Sequence, residues 1–324
     1  MSQLQTEWAS ALGLRAPIVC APMGGVAGGA LASAVSRAGA LGMIGMGSAG
    51  SAAALEGELA QLDTGGAPFG IGLVGWGVER DPEMLALALR AGPALLSVSF
   101  VDWSAPPPGE WITAARGIGA ITVSQVATAE EALRAADAGV DALVARGLEG
   151  GGHGDHRRPR RELLAEVLAA VDVPVLAAGA VSEAGDLAET IEAGAAAAWI
   201  GTAFSACPEA LTGDRARAVL LGASPTDTLV SRVLDVALGR PWPARFPERL
   251  LRTEFVERWH GREEELAKDP DALAAFRAAY AAEDFSIVPI DAGEGVGRLT
   301  EVRSAAEIVA ALLGEPPRSR VGEG

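Results

Sequence analysis

Eight short apolar runs recur between residues 17 and 204, and none alternates polar with apolar residues as a half-exposed strand does. Continuous runs of this kind are typical of parallel strands that are covered on both faces. The runs are PIVCAP (17–22), LGMIGMG (41–47), FGIGLVG (69–75), LLSVSF (95–100), AITVSQV (120–126), ALVARG (142–147), PVLAAGAV (174–181) and AAWIGTAF (197–204).

Alanine-rich segments of helical periodicity separate these runs, and four of the segments end in an Ala-Gly pair just before the next run. Glycine at this place is typical of the left-handed residue that ends a helix. The order of strands and helices predicts an α/β protein and, because eight strand–helix units follow one another, a (β/α)₈ TIM barrel. A doubly wound open sheet is the alternative.

The pattern changes after Phe204, where the chain becomes richer in charge and helical in periodicity, and no strand is predicted between 205 and 285. We therefore expect a helical subdomain inserted after the eighth strand. The predicted division is a barrel domain of residues 1–204 and 295–315, a helical insertion of residues 205–294, and a tail of residues 316–324.

The net charge of −16 and the single lysine, Lys268, predict no nucleic-acid partner and no anionic membrane partner, since both require a clustered basic surface. Four arginines between 157 and 161 are the exception, and they indicate either a solvated helix start or a phosphate contact. Cys20 and Cys207 show no metal-ligand or disulfide spacing, which favours a cytoplasmic protein. Prolines and glycines interrupt the uncharged stretch 16–36, so we expect no membrane span.

The active site of such a barrel lies at the carboxyl ends of its strands, and the loops after the seventh and eighth strands commonly hold a phosphate. Here those loops contain Gly179 and Gly201, which let backbone N–H groups approach an anion, and the hydroxyls of Ser182 and Thr202. The sequence predicts a phosphate site there without a lysine. Ordinary tight turns are the alternative interpretation.

The loop GLEGGGH (147–153) follows the sixth strand and reaches the same end of the barrel. Its glycines would let the backbone lie flat against a planar ligand, and His153 would then point at the reactive face. A surface histidine is the simpler alternative. A metal held by His153, Asp155 and His156 matches no defensible ligand spacing, so we expect no metal.

Three other side chains near this mouth are candidates for substrate contact. Arg146 ends the sixth strand and would contact a substrate anion or phosphate, or else pair with Glu149, whose own simplest role is to accept loop N–H groups. Trp76 and Trp103 would wall an apolar pocket, although single tryptophans are more often ordinary packing.

Four segments together resemble the nitronate monooxygenase family, formerly the 2-nitropropane dioxygenases. They are APMGGVAGGALASAVSRAGALGMIG, GLEGGGHGD, PVLAAGAVSEAGDLAETIEAGAAAAWIGTAF and DAGEGVGRLTEVRSAAEIV, which follow in the family's order over nearly the whole chain. The resemblance implies a TIM barrel that binds FMN without a covalent bond. It implies flavin contacts at Met23, Gly24, Gln125, Gly151, Gly152, Gly179, Ala180, Gly201 and Thr202.

The same resemblance implies that His153 is the catalytic histidine. It would take a proton from the carbon beside a nitro group or hold an anionic nitronate, and the substrate would react with O₂ to give a carbonyl compound and nitrite. The partners implied are a small nitronate-like molecule and O₂; a homo-oligomer is left open.

Departures from the family pattern leave other functions open. Arg146 stands where many relatives have glutamine, and Gly150 where they often have alanine. An NAD(P)H-dependent FMN reductase, of the quinone or enoyl-acyl-carrier-protein type, is the first alternative. A flavin-free phosphate-binding lyase or isomerase is the second, although the chain lacks the strand lysine or inward histidines of aldolases.

Overall fold

The structure, a computed structural model, describes residues 4–103 and 110–316. Within them lie the strands β1 (Ile18–Cys20), β2 (Gly42–Gly45), β3 (Phe69–Val74), β4 (Leu95–Ser99), β5 (Ile121–Val126), β6 (Ala142–Arg146), β7 (Gly152–His153), β8 (Val175–Ala178), β9 (Ala197–Ile200), β10 (Thr228–Ser231) and β11 (Glu248–Leu251). Each of the eight predicted runs contains one of β1–β6, β8 or β9, so those predictions are confirmed.

These eight strands form one parallel sheet in the order β1-β9-β8-β6-β5-β4-β3-β2. A parallel bridge between Val19 of β1 and Leu41, just before β2, brings the two edges of the sheet together. The prediction of a TIM barrel is therefore confirmed, and the open sheet is excluded.

The described helices are α1 (Glu7–Ala11), α2 (Gly29–Arg37), α3 (Ala52–Leu59), α4 (Gly75–Arg80), α5 (Pro82–Arg90), α6 (Glu110–Gly117), α7 (Ala129–Asp137), α8 (Arg160–Ala170), α9 (Ala184–Glu192), α10 (Thr202–Ser205), α11 (Asp214–Leu221), α12 (Val233–Leu238), α13 (Glu254–Trp259), α14 (Glu263–Leu266), α15 (Pro270–Ala281) and α16 (Ala305–Leu312). Two short 3₁₀ helices cover Pro225–Asp227 and Glu294–Arg298. Helix α16 returns to pack on α2 and α9 and completes the outer layer.

Side chains from alternate strand positions fill the barrel. Val19, Met43, Leu95, Val144 and Trp199 belong to one buried interior cluster. Helix α1 packs against this cluster, because Trp8 and Leu12 contact it from the end at which the chain enters β1. That plug leaves the carboxyl ends of the strands as the open end of the barrel, as the architecture requires for a site.

The prediction of an insertion without strands is wrong. Strands β10 and β11 pair antiparallel, and β11 also pairs antiparallel with β7. The three strands form a second sheet at the barrel mouth, because β7 lies in the loop that follows the carboxyl end of β6. Sequence periodicity missed β11 because Glu248 and Arg249 are charged yet buried, which is the reverse of an ordinary strand pattern. The pairing partner, β7, lies in a glycine loop almost a hundred residues earlier.

In the described part of the chain, no helix combines the length and apolar character needed to cross a bilayer. Cys20 and Cys207 are buried and not joined by a disulfide. Burial raises the pKa of the Cys20 thiol to about 12, so this thiol stays protonated at neutral pH.

Candidate active site

The glycine loop leaves the barrel at Arg146 and runs into β7, where two of its residues pair with β11. Gly152 is opposite Arg249, and His153 is opposite Glu248. Gly152 has a φ of 69°, which a residue with a side chain adopts only under strain. The histidine that the sequence placed at the end of a loop is therefore fixed on a short strand between barrel and insertion.

Three basic side chains hold the carbonyl oxygens of this loop. Arg146 Nη2 donates to the carbonyls of Gly150, Gly151 and Gly152 at 3.0, 2.7 and 3.0 Å. The ring nitrogens of His156 lie 3.1 Å from the carbonyls of Leu148 and Gly152. These contacts around its carbonyl side thus hold the loop in one shape.

Arg249, the third of these side chains, donates from Nε to the carbonyl of Leu148 at 2.9 Å. It also donates from Nη1 to Thr228 Oγ1 at 3.0 Å and forms an ion pair with Glu294 at 3.3 Å. Arg249 therefore joins the glycine loop to both the insertion and the segment that returns to the barrel.

Arg146 acts as a tether for this loop and does not form an ion pair with Glu149. The carboxylate of Glu149 instead accepts the backbone N–H of Arg160, at 2.9 and 3.0 Å, at the start of α8. Burial, followed by the charge of Arg249, lowers the pKa of Arg146 to about 10, so the guanidinium remains a cation at neutral pH. Its Nη1 is buried and has no acceptor in the part of the chain that the structure describes.

A small cavity lies beside this guanidinium. Gln125 and Arg146 line it together with Phe100, Asp155 and Phe246. The structure therefore brings together two predicted polar contacts, the amide of Gln125 and the guanidinium of Arg146, at the ends of neighbouring strands β5 and β6.

The turn after β8 has the backbone geometry of an anion cradle. Gly179 has a φ of 130° and Ala180 a φ of 49°, and for Ala180 this left-handed conformation is strained. Among the described residues, the backbone N–H groups of Gly179, Ala180 and Gly201 donate to no backbone or side-chain acceptor that we observe. Three free N–H groups at the barrel mouth fit a phosphate oxygen.

The cradle is continuous with the glycine loop. The backbone N–H of Gly293 donates to Thr202 Oγ1 at 3.0 Å, and a Cβ on Gly151 would lie 2.4 Å from the nitrogen of Gly293. Gly151 therefore packs directly against the backbone of Gly293, whose N–H donates to the hydroxyl of Thr202. This close approach explains why a glycine is needed at 151.

Met23 and Gly24 follow β1 and meet the turn after β9. A Cβ on Gly201 would lie 3.2 Å from the Met23 sulfur, and Ser205 Oγ donates to that sulfur at 3.5 Å. A Cβ on Gly24 would lie 2.6 Å from the Cα of Gly47. Gly24 therefore allows the segments that follow β1 and β2 to pack with their backbones in contact.

An aromatic cluster covers His153. The imidazole stacks on Trp242 with ring centres 3.6 Å apart and planes 8° from parallel. Trp242 in turn contacts Trp76 and Phe100 edge-on, at 4.7 and 4.8 Å, and Phe100 contacts Phe246 at 5.1 Å. Phe100 has a φ of 62°, a strained conformation at the end of β4.

Of the two predicted tryptophans, only Trp76 belongs to this aromatic cluster. Trp103 packs with Trp111 and Ile112 in the core between the strands and the outer helices. A contact of Trp103 with the substrate therefore stays a prediction, beside the core packing that the structure shows.

Buried acids surround the other side of His153. Its Nε2 lies 2.9 Å from Asp235 Oδ2 and 3.6 Å from Glu248 Oε2. Burial raises the pKa of Glu248 well above its ordinary value, and the negative charges of Asp291 and Asp235 add to the shift. Burial also raises the pKa of Asp291, against the opposing effects of His153 and Arg240.

Sequence reasoning missed the residues that come from the insertion, namely Asp235, Trp242, Phe246 and Glu248, and it missed Phe100 and Asp291. One local signal was available. Pro241 and Pro243 flank Trp242 and exclude a regular helix, so an aromatic residue held in a rigid turn could have been predicted. Nothing local marks Asp235 or Glu248.

The sequence profile of the nitronate monooxygenase family matches residues 77–315. The chain belongs to this family. A nitronate monooxygenase of Pseudomonas aeruginosa is 31% identical over 282 residues, which cover 72% of this chain and 78% of the relative. The solved nitroalkane oxidase of Streptomyces ansochromogenes has a TM-score of 0.78 and 29% identity, over 95% of this chain and 97% of that one.

A relative from Rhodococcus jostii has a different activity. It is the (3aS,4S,5R,7aS)-5-hydroxy-7a-methyl-1-oxo-octahydro-1H-indene-4-carboxyl-CoA dehydrogenase, 30% identical over 257 residues, which cover 79% of this chain and 68% of the relative. Family membership makes this chain a flavin-dependent oxidoreductase and sets aside the flavin-free lyase or isomerase. The free N–H groups at 179, 180 and 201 fit the phosphate of such a cofactor.

Proposed function

We propose that this protein binds FMN without a covalent bond and oxidises alkyl nitronates with O₂ to a carbonyl compound and nitrite. The observation that carries the proposal is the continuity from His153 to the anion cradle. His153 ends the loop whose Gly151 packs on Gly293, and Gly293 donates to Thr202. The glycine loop therefore connects the candidate base, His153, with the candidate phosphate site at Thr202.

The flavin would supply the redox chemistry, accepting electrons from the substrate and passing them to O₂. Gly179, Ala180, Gly201 and Thr202 would hold its phosphate through backbone N–H groups. Met23 and Gly24 would lie under the ring, Gly151 and Gly152 would line it, and Gln125 would reach its polar edge. The contacts described above support this assignment, because these residues all lie at the carboxyl ends of the strands.

His153 would act on the substrate carbon or hold the nitronate. Asp235, whose Oδ2 lies 2.9 Å from Nε2, would orient the imidazole for removal of a proton from the carbon next to a nitro group. Arg146 Nη1, a buried donor without an acceptor, is the group that would meet a substrate oxygen. Trp76 would pack against the substrate from the aromatic cluster.

The contact between His153 and Asp235 also favours a second candidate, oxidation of a secondary alcohol. A preformed nitronate is already an anion and needs no base, whereas an alcohol must lose its hydroxyl proton as the hydride leaves. The relationship to the indene-carboxyl-CoA dehydrogenase supports this reading.

One anaerobic experiment separates these functions. The purified protein is inspected for flavin absorbance, then mixed without O₂ with an alkyl nitronate, a neutral nitroalkane, a hydroxyacyl-CoA or NADH. Bleaching of the flavin by nitronate, followed by nitrite release when O₂ is admitted, is the expected result.

Other outcomes point elsewhere. Bleaching by the hydroxyacyl-CoA alone would favour the alcohol dehydrogenase, and bleaching by NADH alone would favour the NAD(P)H-dependent reductase. A protein that takes up no flavin would contradict the whole proposal.

A further inference from the structure

The fold divides the four arginines between 157 and 161 into two environments. Three of them are exposed and pair with acids, namely Arg157 with Asp155, Arg158 with Glu166 and Arg161 with Glu189. Arg160 is the exception, because its side chain is only 15% exposed and its Nη1 donates to the carbonyl of Gly179 at 2.7 Å. One arginine of the group therefore contacts the turn after β8, where the anion cradle lies.

The hydrogen bond to Gly179 fixes the direction of the next N–H group in the chain. The peptide between Gly179 and Ala180 is trans, and in a planar trans peptide the carbonyl and the following N–H point in opposite directions. Arg160 holds the carbonyl, so the Ala180 N–H is directed away from the guanidinium. Within residues 4–103 and 110–316, this N–H donates to no acceptor that we observe.

The turn needs such a contact because its backbone is strained. Gly179 has a φ of 130° and Ala180 a φ of 49°. A residue with a side chain keeps a left-handed conformation only where the surrounding structure holds it there. The hydrogen bond from Arg160 is one of the contacts that hold this peptide in the orientation of the cradle.

Arg160 is itself fixed by Glu149 of the glycine loop. The Glu149 carboxylate accepts the backbone N–H of Arg160 at 2.9 and 3.0 Å. This carboxylate also borders the cradle, since a Cβ on Gly179 would lie 3.1 Å from Glu149 Oε2. A negative charge at this place opposes a phosphate, and the guanidinium of Arg160, 3.9 Å from its acid partner Glu189, offsets it.

We propose that Arg160 is a positioning residue for the cofactor phosphate. It holds the Gly179 peptide so that the Ala180 N–H faces the phosphate, and its charge polarises that peptide and strengthens the N–H as a donor. The inference rests on the proposed binding of FMN and concerns its phosphate monoester alone. Arg160 acts through the peptide, so no contact with the substrate or with the flavin ring is required of it.

The test compares FMN with riboflavin, which lacks the phosphate. Each flavin is titrated into the full chain after removal of bound flavin, and quenching of flavin fluorescence gives the dissociation constant. Arg160→Met should weaken FMN binding by roughly 10- to 100-fold, the usual contribution of a hydrogen bond from a charged donor. Riboflavin binding should not change. Arg161→Met, at the exposed neighbouring position, is the matched control and should leave both affinities unchanged.

A measurement on the unaltered chain covers the case in which Arg160→Met fails to fold. In the nuclear magnetic resonance spectrum, the Ala180 amide proton should move downfield when FMN binds and should not do so with riboflavin, because only the phosphate accepts this N–H.

Three results would overturn the inference. They are FMN affinity that Arg160→Met leaves unchanged, equal losses of FMN and riboflavin affinity in the folded variant, and an Ala180 amide that responds alike to both flavins. An unaltered chain that binds neither flavin would contradict the proposed function and this inference with it. Failure to oxidise a nitronate would contradict the proposed function alone, since turnover is not measured here.

Discussion

The imidazole Nε2 of His153 and the carboxylate Oδ2 of Asp235 are 2.9 Å apart, although 82 residues separate them in the chain. The contact joins the glycine loop of the barrel to helix α12 of the insertion. It orients the ring, so the insertion positions a side chain that the barrel's glycine loop supplies.

Asp235→Asn should slow turnover of a neutral nitroalkane by roughly 10²-fold, because the amide keeps the shape of the carboxylate and loses its charge. Turnover of the preformed nitronate should fall much less, since that substrate has no proton to give. Initial rates with the two substrates test this, with the exposed Asp271→Asn on α15 as the control. Equal losses on both substrates would show that Asp235 has only a structural role.

His153→Ala should retain the flavin and lose roughly 10²–10⁴-fold in turnover of the nitroalkane, the usual range for a general base. Flavin content is read from absorbance and turnover from nitrite release. His260→Ala, in the insertion and 45% exposed at its side chain, is the matched control. Unchanged turnover would show that His153 is a bystander.

Gly151→Ala should destabilise the protein by at least about 2 kcal/mol and reduce flavin retention, because its Cβ would lie 2.4 Å from the backbone nitrogen of Gly293. Gly57→Ala on α3 is the control, since nothing lies within 4 Å of its added Cβ. A helix gains up to about 1 kcal/mol from that change. Urea unfolding of both variants measures the contrast, and equal midpoints would contradict the close packing at 151.

Trp242→Ala should cost about 3–5 kcal/mol of unfolding free energy, because the indole is buried and stacks on His153 at 3.6 Å. Trp242→Phe keeps an aromatic ring and should recover most of that loss. Thermal unfolding of the two variants measures the difference. If both lose the same stability, stacking on His153 does not contribute.

Acid should destabilise the protein through His156. Burial, followed by the charge of Arg146, lowers the pKa of His156 to about 3, against an ordinary value of 6.5. The unfolded chain therefore binds the proton first, so this contribution is complete above pH 6.5 and is lost as the pH falls from 6.5 toward 3. The full effect is on the order of 3–5 kcal/mol.

His156→Gln keeps a donor and an acceptor but cannot be protonated in this range. Its unfolding free energy should fall less steeply than that of the unaltered protein between pH 6.5 and 4, as measured by urea titration at several pH values. Parallel pH profiles would show that His156 is not the group responsible.

The sequence by itself determined the barrel and the rim of the site. Continuous apolar runs, each followed by an alanine-rich helix, favour the TIM barrel, because parallel strands that are covered on both faces have continuous apolar sequences. The helix-ending glycines at 39, 92, 139 and 194 all adopt the expected left-handed conformation. The predicted residues after β6, β8 and β9 reach the same rim, since parallel strands share their carboxyl ends.

Only the tertiary structure decided what surrounds His153. Asp235, Trp242, Glu248 and Asp291 reach the imidazole because β11 pairs with β7, and that pairing is set by packing between segments about a hundred residues apart. Local periodicity cannot predict such a contact. A charged residue is also expected on the surface from sequence alone, even when the fold buries it. The role of Arg146 was hidden for the same reason, since a tether of three carbonyls exists only once the loop has folded around it.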